Sequence, residues 1–206
     1  MSVRHTDGTE SKVTCDLAMS LDGYVAGPNQ SLDDPFGQGA GEVLHKWMFD
    51  EPDENAAELA AMDAPGAYVM GRNMFGPGRG AWDEDWKGWW GDDPPYHASV
   101  FVLTHHVRRP ETVQGGTTFT FVTDGIDSAL AQAREVAGDI AIAGGAETTR
   151  EYLSAGLIDE LRLHLVPVLL GKGERLLDGV EGDISLEPLE STGNHLVTHL
   201  SFRVAH

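Results

Sequence analysis

Val13, Cys15, Leu17 and Met19 fall two apart, the spacing of a strand with one buried face. The strand predicted over 13–19 runs into Ser20-Leu-Asp-Gly23, and Gly27 with Pro28-Asn29 carries a loop on to the next apolar pattern. Helical spacing starts in Glu42–Phe49, where Val43, Leu44, Trp47 and Met48 share a face, and a second helix is predicted over Glu54–Met62. Ala67–Met70 reads as a short buried strand that passes straight into Gly71-Arg72-Asn73 and a helical turn. Residues 76–97 follow neither period: they are rich in Gly, Pro and Asp and hold four of the five tryptophans.

Beyond that break, β-branched and aromatic residues predict strands over Ser99–Leu103 and Thr117–Val122. Ile126, Ala129, Leu130, Ala133 and Val136 mark an amphipathic helix over 126–137, and Asp139–Ala143 is a buried strand leading into Gly144-Gly145. A helix with Thr149, Tyr152 and Leu153 on one face follows and closes at Gly156. Leu161, Leu163 and Leu165 alternate in the next strand, which Pro167 and Gly171-Lys172-Gly173 end as a structural turn. Two last strands, Ile184–Leu189 and His195–Val204, are joined by a hairpin turn at Ser191–Asn194. Strands alternating with helices early and an antiparallel pair late predict an α/β fold with one mixed sheet and helices on both faces. No repeat or linker divides the chain, so a single domain over 12–206 is expected behind a flexible N-terminal arm, residues 1–11.

The 206 residues carry 14 Lys and Arg against 33 Asp and Glu, a formal charge of −19. Such a surface repels phosphate backbones and anionic lipid, so neither nucleic acid nor membrane is expected as a partner, and an anionic ligand would need a local basic pocket. The lone Cys15 forms no internal disulfide, and the polar start lacks the apolar core of a signal peptide; both point to the reduced cytoplasm. No metal site is expected: His195 and His199 lie four apart on a strand, roughly 13 Å by the usual rise, too far for one ion.

The sharpest chemical signal is a pair of strand-to-glycine junctions, Val69-Met-Gly71-Arg72 and Ile142-Ala-Gly144-Gly145-Ala-Glu-Thr148. Glycine lets a backbone approach a ligand closely, and the N-terminus of the following helix offers free N–H groups to phosphate. Tight packing is the competing reading of such turns, and neither matches a Walker loop or a full dinucleotide fingerprint. Arg72 tips the balance toward phosphate, since its planar fork holds phosphate bidentately in an otherwise acidic chain. The Trp-rich stretch has two readings as well, burial against the body or a second subunit, or contact with a planar ligand.

Asp16-Leu-Ala-Met-Ser-Leu-Asp-Gly-Tyr-Val-Ala26, Val-Met-Gly-Arg72, Val-Leu-Thr-His105, Ile-Ala-Gly-Gly145 and Leu-Val-Pro-Val-Leu-Leu-Gly-Lys-Gly173 occur in that order. Together they resemble the dihydrofolate-reductase-like superfamily, and within it the branch with the reductase domain of the bifunctional riboflavin-biosynthesis deaminase-reductase. The resemblance covers roughly residues 12 to 204 and implies a three-layer α/β sandwich, its sheet mostly parallel with an antiparallel C-terminal hairpin. It implies NADPH as cofactor and a homodimer. By position it implies cofactor contacts at Gly71, Arg72 and Asn73, at Thr104 and His105, and at Gly144, Gly145, Ala146, Glu147 and Thr148, with Ala18 near the nicotinamide. Met74 stands where many relatives carry a hydroxyl. Ser20, Asp22 and Gly23 border the substrate, with Trp82 a further contact. Asp22 and Glu42 are the candidate catalytic carboxylates, although either a carboxyl group or an ordered water could supply the proton. The activity implied is reduction of a small heterocycle, closest to 5-amino-6-(5-phosphoribosylamino)uracil in riboflavin biosynthesis; Arg79 and Lys87 are the nearest candidates for a substrate phosphate. A non-catalytic NADPH- or ligand-binding protein on the same fold and an oligomeric interaction protein are the alternatives.

Overall fold

A computed structural model describes residues 11–78, 80–83, 85–136 and 138–205. The expected arm falls outside the described residues except for Ser11, as do Arg79 and residue 137 of the expected helix. In chain order the elements are β1 (Val13–Ser20), β2 (Tyr24–Ala26), α1 (Gly41–Asp50), α2 (Ala56–Asp63), β3 (Ala67–Gly71), α3 (Arg72–Phe75), β4 (Ser99–Leu103), β5 (Glu111–Thr112), β6 (Thr118–Val122) and α4 (Ile126–Arg134). They continue with β7 (Ile140–Gly144), α5 (Ala146–Ser154), β8 (Glu160–Val166), β9 (Glu174–Arg175), β10 (Ser185–Gly193) and β11 (Thr198–Ala205).

Nine strands form one sheet in the order β10-β11-β8-β1-β7-β3-β4-β6-β5. The six from β8 to β6 are parallel, and antiparallel pairing is confined to the two ends. The central strands are apolar along nearly their whole length because both faces are covered. One face packs Val13, Val69, Ile140 and Ile142 against Ala129, Leu130 and Tyr152 of α4 and α5. On the other, Tyr68, Met70, Val100 and Val102 meet Phe75 and the Trp-rich stretch, and Ala18 and Val166 meet Leu44 and Trp47 of α1.

Three local features differ from the sequence expectation. The hairpin turn sits at 194–197, because the Asn194 side-chain oxygen accepts from the backbone N–H groups of Leu196 and Val197. Ser191, Thr192 and Gly193 consequently stay in β10, opposite Leu200, His199 and Thr198. The helix expected to 137 ends at Arg134. A small second sheet, β2 with β9, comes from residues that the period left as loop.

A buried polar chain crosses the α1 side. Asn55 Nδ2 donates to the carbonyls of Trp47 and Glu51, so its Oδ1 is the acceptor facing His199 Nε2 at 2.9 Å. His199 Nε2 therefore carries the proton, its Nδ1 accepts, and His164 Nδ1 donates across 2.8 Å. That leaves the lone pair of His164 Nε2 facing Asp16 Oδ1 at 3.8 Å. Burial pushes the Asp16 carboxyl up to about 6 and, together with His199, pulls His164 down to about 3; burial also lowers His199.

The sign follows from which state binds more protons. Below about 6.5, the ordinary histidine value, the unfolded chain protonates imidazoles that the fold keeps neutral, so acid favours unfolding. Asp16 acts oppositely between the ordinary carboxylate range and about 6, but it is one group against His164, His199 and His45, all three depressed. Urea melts should show a clearly lower midpoint at pH 5 than at pH 7.5. A midpoint that stays level or rises on acidification would contradict the tautomer chain.

Candidate functional site

Five parallel strands, β1, β7, β3, β4 and β6, end at one edge of the sheet, and a cavity of about 550 Å³ runs along it. Ligands of open parallel sheets settle at this edge because the helices that follow the strands direct their N-termini there. Leu17 and Ala18 line it from β1, Gly71 from β3, Leu103 from β4 and Val122 from β6. Arg72 opens α3, while Gly125 and Ile126 begin α4 and Gly145 to Thr148 begin α5. Neither nine-residue helix, α4 or α5, has a side-chain N-cap, so their first N–H groups are available to a ligand anion.

The glycines at this edge do different work. A Cβ on Gly71 would lie 2.4 Å from Thr148 Oγ1, so the glycine leaves room for that hydroxyl where β3 meets the start of α5. Gly144 sits at φ +107, in the region that disfavours a side chain, and a Cβ there would meet Leu17 at 3.1 Å. Its peptide to Gly145 is cis. A Cβ on Gly145 would meet nothing within 4 Å, so that glycine leaves room in the cavity wall.

Arg72 lies with its guanidinium 4.1 Å from the centre of the Trp82 ring, a cation–π contact that fixes it at the cavity rim. The Trp-rich stretch is held against the body by its indoles. Trp82 Nε1 donates to the His106 carbonyl, Trp86 Nε1 to that of Phe75 and Trp89 Nε1 to that of Met74. From below, buried Arg108 donates to the Trp86 carbonyl at 2.6 Å and pairs with Glu111 at 2.9 Å. Packing against the body is thus the reading that holds for three of the four tryptophans, and Trp89 also lines the cavity.

Of the residues expected at the cofactor, the structure gathers Ala18, Gly71, Arg72, Asn73, Thr104, His105, Gly145, Ala146, Glu147 and Thr148 around this one cavity. Gly144 stands just behind the wall as the last residue of β7. The expected substrate and catalytic residues are placed differently. Ser20 is wholly buried; its hydroxyl donates to Asp22 Oδ1 at 2.6 Å and accepts from the Tyr24 N–H. Asp22 also accepts from the N–H groups of Leu170 and Gly171 at 3.1 and 2.7 Å. The Ser20 hydroxyl and these amides hold its carboxyl below the usual range, so Asp22 staples β1 to the 170–171 loop and is a poor proton donor. Gly23, at φ +89, makes the turn. Glu42 is exposed on α1 outside the cavity, and His45, one turn further, takes the inward position. Trp82 supports Arg72 and does not line the cavity. Lys87 pairs with Glu111 at 3.6 Å, also away from the lining.

Sequence reasoning missed Gln30, Phe36 and His45 of the inner wall, while Trp89 falls under the ligand-contact reading of the Trp-rich stretch. Only the helical period of α1 could have suggested His45, one residue after buried Leu44. The loop before α1 carries no periodic signal.

The family model described as RibD C-terminal domain matches residues 11–198. Among curated proteins, the uncharacterized protein YyaP of Bacillus subtilis (strain 168) is 24% identical over 189 residues, covering 86% of each chain. A putative riboflavin biosynthesis protein from Shewanella sp. PV-4 superposes with a TM-score of 0.67 at 22% identity, covering 95% of this chain and 99% of the other. The diaminohydroxyphosphoribosylaminopyrimidine deaminase/5-amino-6-(5-phosphoribosylamino)uracil reductase of Thermotoga maritima gives 0.60 at 16%, with 95% of this chain covering 57% of that one. Dihydrofolate reductase from Enterococcus faecalis, complexed with NADP(H), gives 0.54 at 13%, covering 95% and 97%. The fold is therefore dihydrofolate-reductase-like.

Replacing Gly144 by alanine forces a side chain into a left-handed backbone and against Leu17. A loss of about 1–3 kcal/mol in urea unfolding is expected; an unchanged midpoint would show that the edge relaxes freely.

Proposed function

The chain belongs to the RibD C-terminal domain family, and on that footing we propose that it is an NADPH-dependent oxidoreductase that reduces a small heterocyclic substrate. The nearest named activity is that of 5-amino-6-(5-phosphoribosylamino)uracil reductase in riboflavin biosynthesis. The observation that carries the reading is the strand-edge cavity, where two uncapped helix starts and Arg72 converge on one space.

The residues present fit this cofactor. Pyrophosphate suits the start of α5, where Gly145 leaves the wall open and Ala146, Glu147 and Thr148 bring N–H groups and a hydroxyl. A 2′-phosphate suits Arg72 with Thr104 and His105, which stand at the ends of the paired strands β3 and β4, with Asn73 beside them. Ala18, small and facing the cavity from β1, leaves room for a flat ring between the phosphate end and the inner wall.

When bound, NADPH supplies a hydride to an electrophilic C=N or C=O carbon. The chain's task is to bind and orient the two partners. Phe36 and Trp89, set nearly perpendicular to each other, offer apolar ring surfaces to the substrate, and Ala18 allows close approach. Asp22 is held ionised and Glu42 lies outside, so the proton for the reduced nitrogen or oxygen comes from water or from one of the lining carboxyl groups of Glu147, Glu151 and Glu174.

The small-molecule assignment, without nucleic acid or membrane partners, rests on the charge of −19, and no helix among the described residues is long and apolar enough to cross a membrane. A cytoplasmic homodimer completes the proposal. β10 supports the dimer: this nine-residue edge strand is exposed throughout, with Leu186 and Leu189 among its open side chains. Light scattering at micromolar concentration should give a dimer, and a monomer throughout would remove that part.

Calorimetry should show NADPH binding to the wild type. Arg72→Ala should weaken it at least tenfold while changing NADH affinity little, since a charge-assisted contact contributes about 1.5–3 kcal/mol. Equal losses for both nucleotides would displace the 2′-phosphate from Arg72. Absence of NADPH binding, or binding without oxidation across a panel of heterocycles including 5-amino-6-(5-phosphoribosylamino)uracil, would overturn the reductase reading.

A further inference from the structure

His45 stands on α1 where the inner half of the cavity meets the loop before the helix. Its Nδ1 lies 3.0 Å from the Gly41 carbonyl oxygen. A carbonyl only accepts, so the proton sits on Nδ1 and the lone pair on Nε2. The ring is fixed from the side by Phe36, at 4.4 Å between centroids, and Phe36 is itself set edge-on to Trp89 at 4.8 Å. Burial lowers the proton affinity of His45, which keeps the ring neutral. Gln30 is oriented by the same logic: its Nε2 donates to the Pro35 carbonyl at 2.8 Å, which fixes Oε1 as the acceptor end. Gln30, Pro35, Phe36 and His45 are contiguous in the cavity wall.

We propose that His45 Nε2, with Gln30 Oε1 on the same wall, determines specificity by accepting hydrogen bonds from ring N–H groups of a neutral planar heterocycle set against Phe36 and Trp89. A carboxylate in this place would favour a protonated, cationic ring. A neutral imidazole lone pair favours an uncharged ring with an N–H donor, and it rejects an analogue whose nitrogens are methylated, because the acceptor then loses its bond and meets a methyl group. The inference deepens the reductase reading, since it takes this end of the cavity as the place of the reducible substrate.

The test uses lumazine, which has ring N–H donors, and 1,3-dimethyllumazine, in which they are blocked, each titrated by fluorescence into the full chain with and without NADPH. The wild type should prefer lumazine at least tenfold. His45→Leu should bring the two ligands within about twofold, and His45→Gln, which restores an acceptor, should recover part of the preference. Gln30→Met, in the loop and outside α1, should lower lumazine affinity about fivefold and keeps the test open if His45→Leu does not fold. Equal binding of both ligands by the wild type, binding of neither, or an undiminished preference in His45→Leu overturns the proposal. NADPH affinity, measured in parallel, separates the two readings. If NADPH does not bind while the lumazine preference follows His45, the reductase reading fails and the acceptor site stands; with NADPH binding and oxidation intact and no such preference, only the acceptor site fails.

Discussion

The approach of β3 to the start of α5 is the constraint on which the site depends. With a side chain on Gly71, the Thr148 hydroxyl at the start of α5 would have to turn away. The starts of α4 and α5 line one cavity, so the partial charges at their ends, which decay within a turn, can act on one ligand. Gly144 completes the arrangement from the neighbouring strand through a backbone geometry that side chains avoid. Two glycines on adjacent strands thus keep this edge of the sheet uncrowded, and the apolar sheet interior holds the strands in the register that brings them side by side.

Around that edge the chain spends its polar groups in two ways. Behind it, Asn55, His199 and His164 form a buried sequence of donors and acceptors in which each partner fixes the next tautomer, ending at the His164 Nε2 lone pair that faces Asp16. Such a network tolerates few alternative packings of α1 on the sheet, because a shift would break the buried Asn55–His199 or His199–His164 bond. In front of it, three indole N–H groups and Arg108 tie an irregular stretch to backbone carbonyls. Aromatic side chains here replace the missing ladder bonds, so a segment without regular structure still presents Trp89 to the cavity and supports Arg72 through Trp82.

Local period revealed most of the sheet. The strands β1, β3, β4, β6, β7 and β8 and the helices α1, α4 and α5 follow from apolar spacing that both-faced burial requires. The glycine end of the cavity was legible too, since strand, glycine and helix start are consecutive in the chain and a motif of that kind carries its geometry with it. What stayed hidden depends on partners distant in sequence. Asp22 looked like a catalytic acid until the amides of residues 170 and 171, 148 and 149 positions away, took up its carboxylate. Glu42 lost to His45 because a helix turns through 100° per residue, and the inward face is set by docking and not by residue type. Arg108 gave no signal at all: its burial follows from the fold of a stretch that has no period.

Electrostatics explains why so acidic a chain can still suit an anion. The −19 formal charge is spread over the surface, where water and salt screen it within about 10 Å. Inside the cavity the positive contributors include Arg72 and the N–H groups at the starts of α4 and α5, which line it. Glu147, Glu151 and Glu174 also reach the lining, so the local field has both signs. A ligand that is anionic at one end and neutral at the other matches that division, its phosphates beside Arg72 and its uncharged ring beside Phe36 and Trp89. The surface charge then limits which anions approach, while the few local positive groups fix the orientation of those that enter.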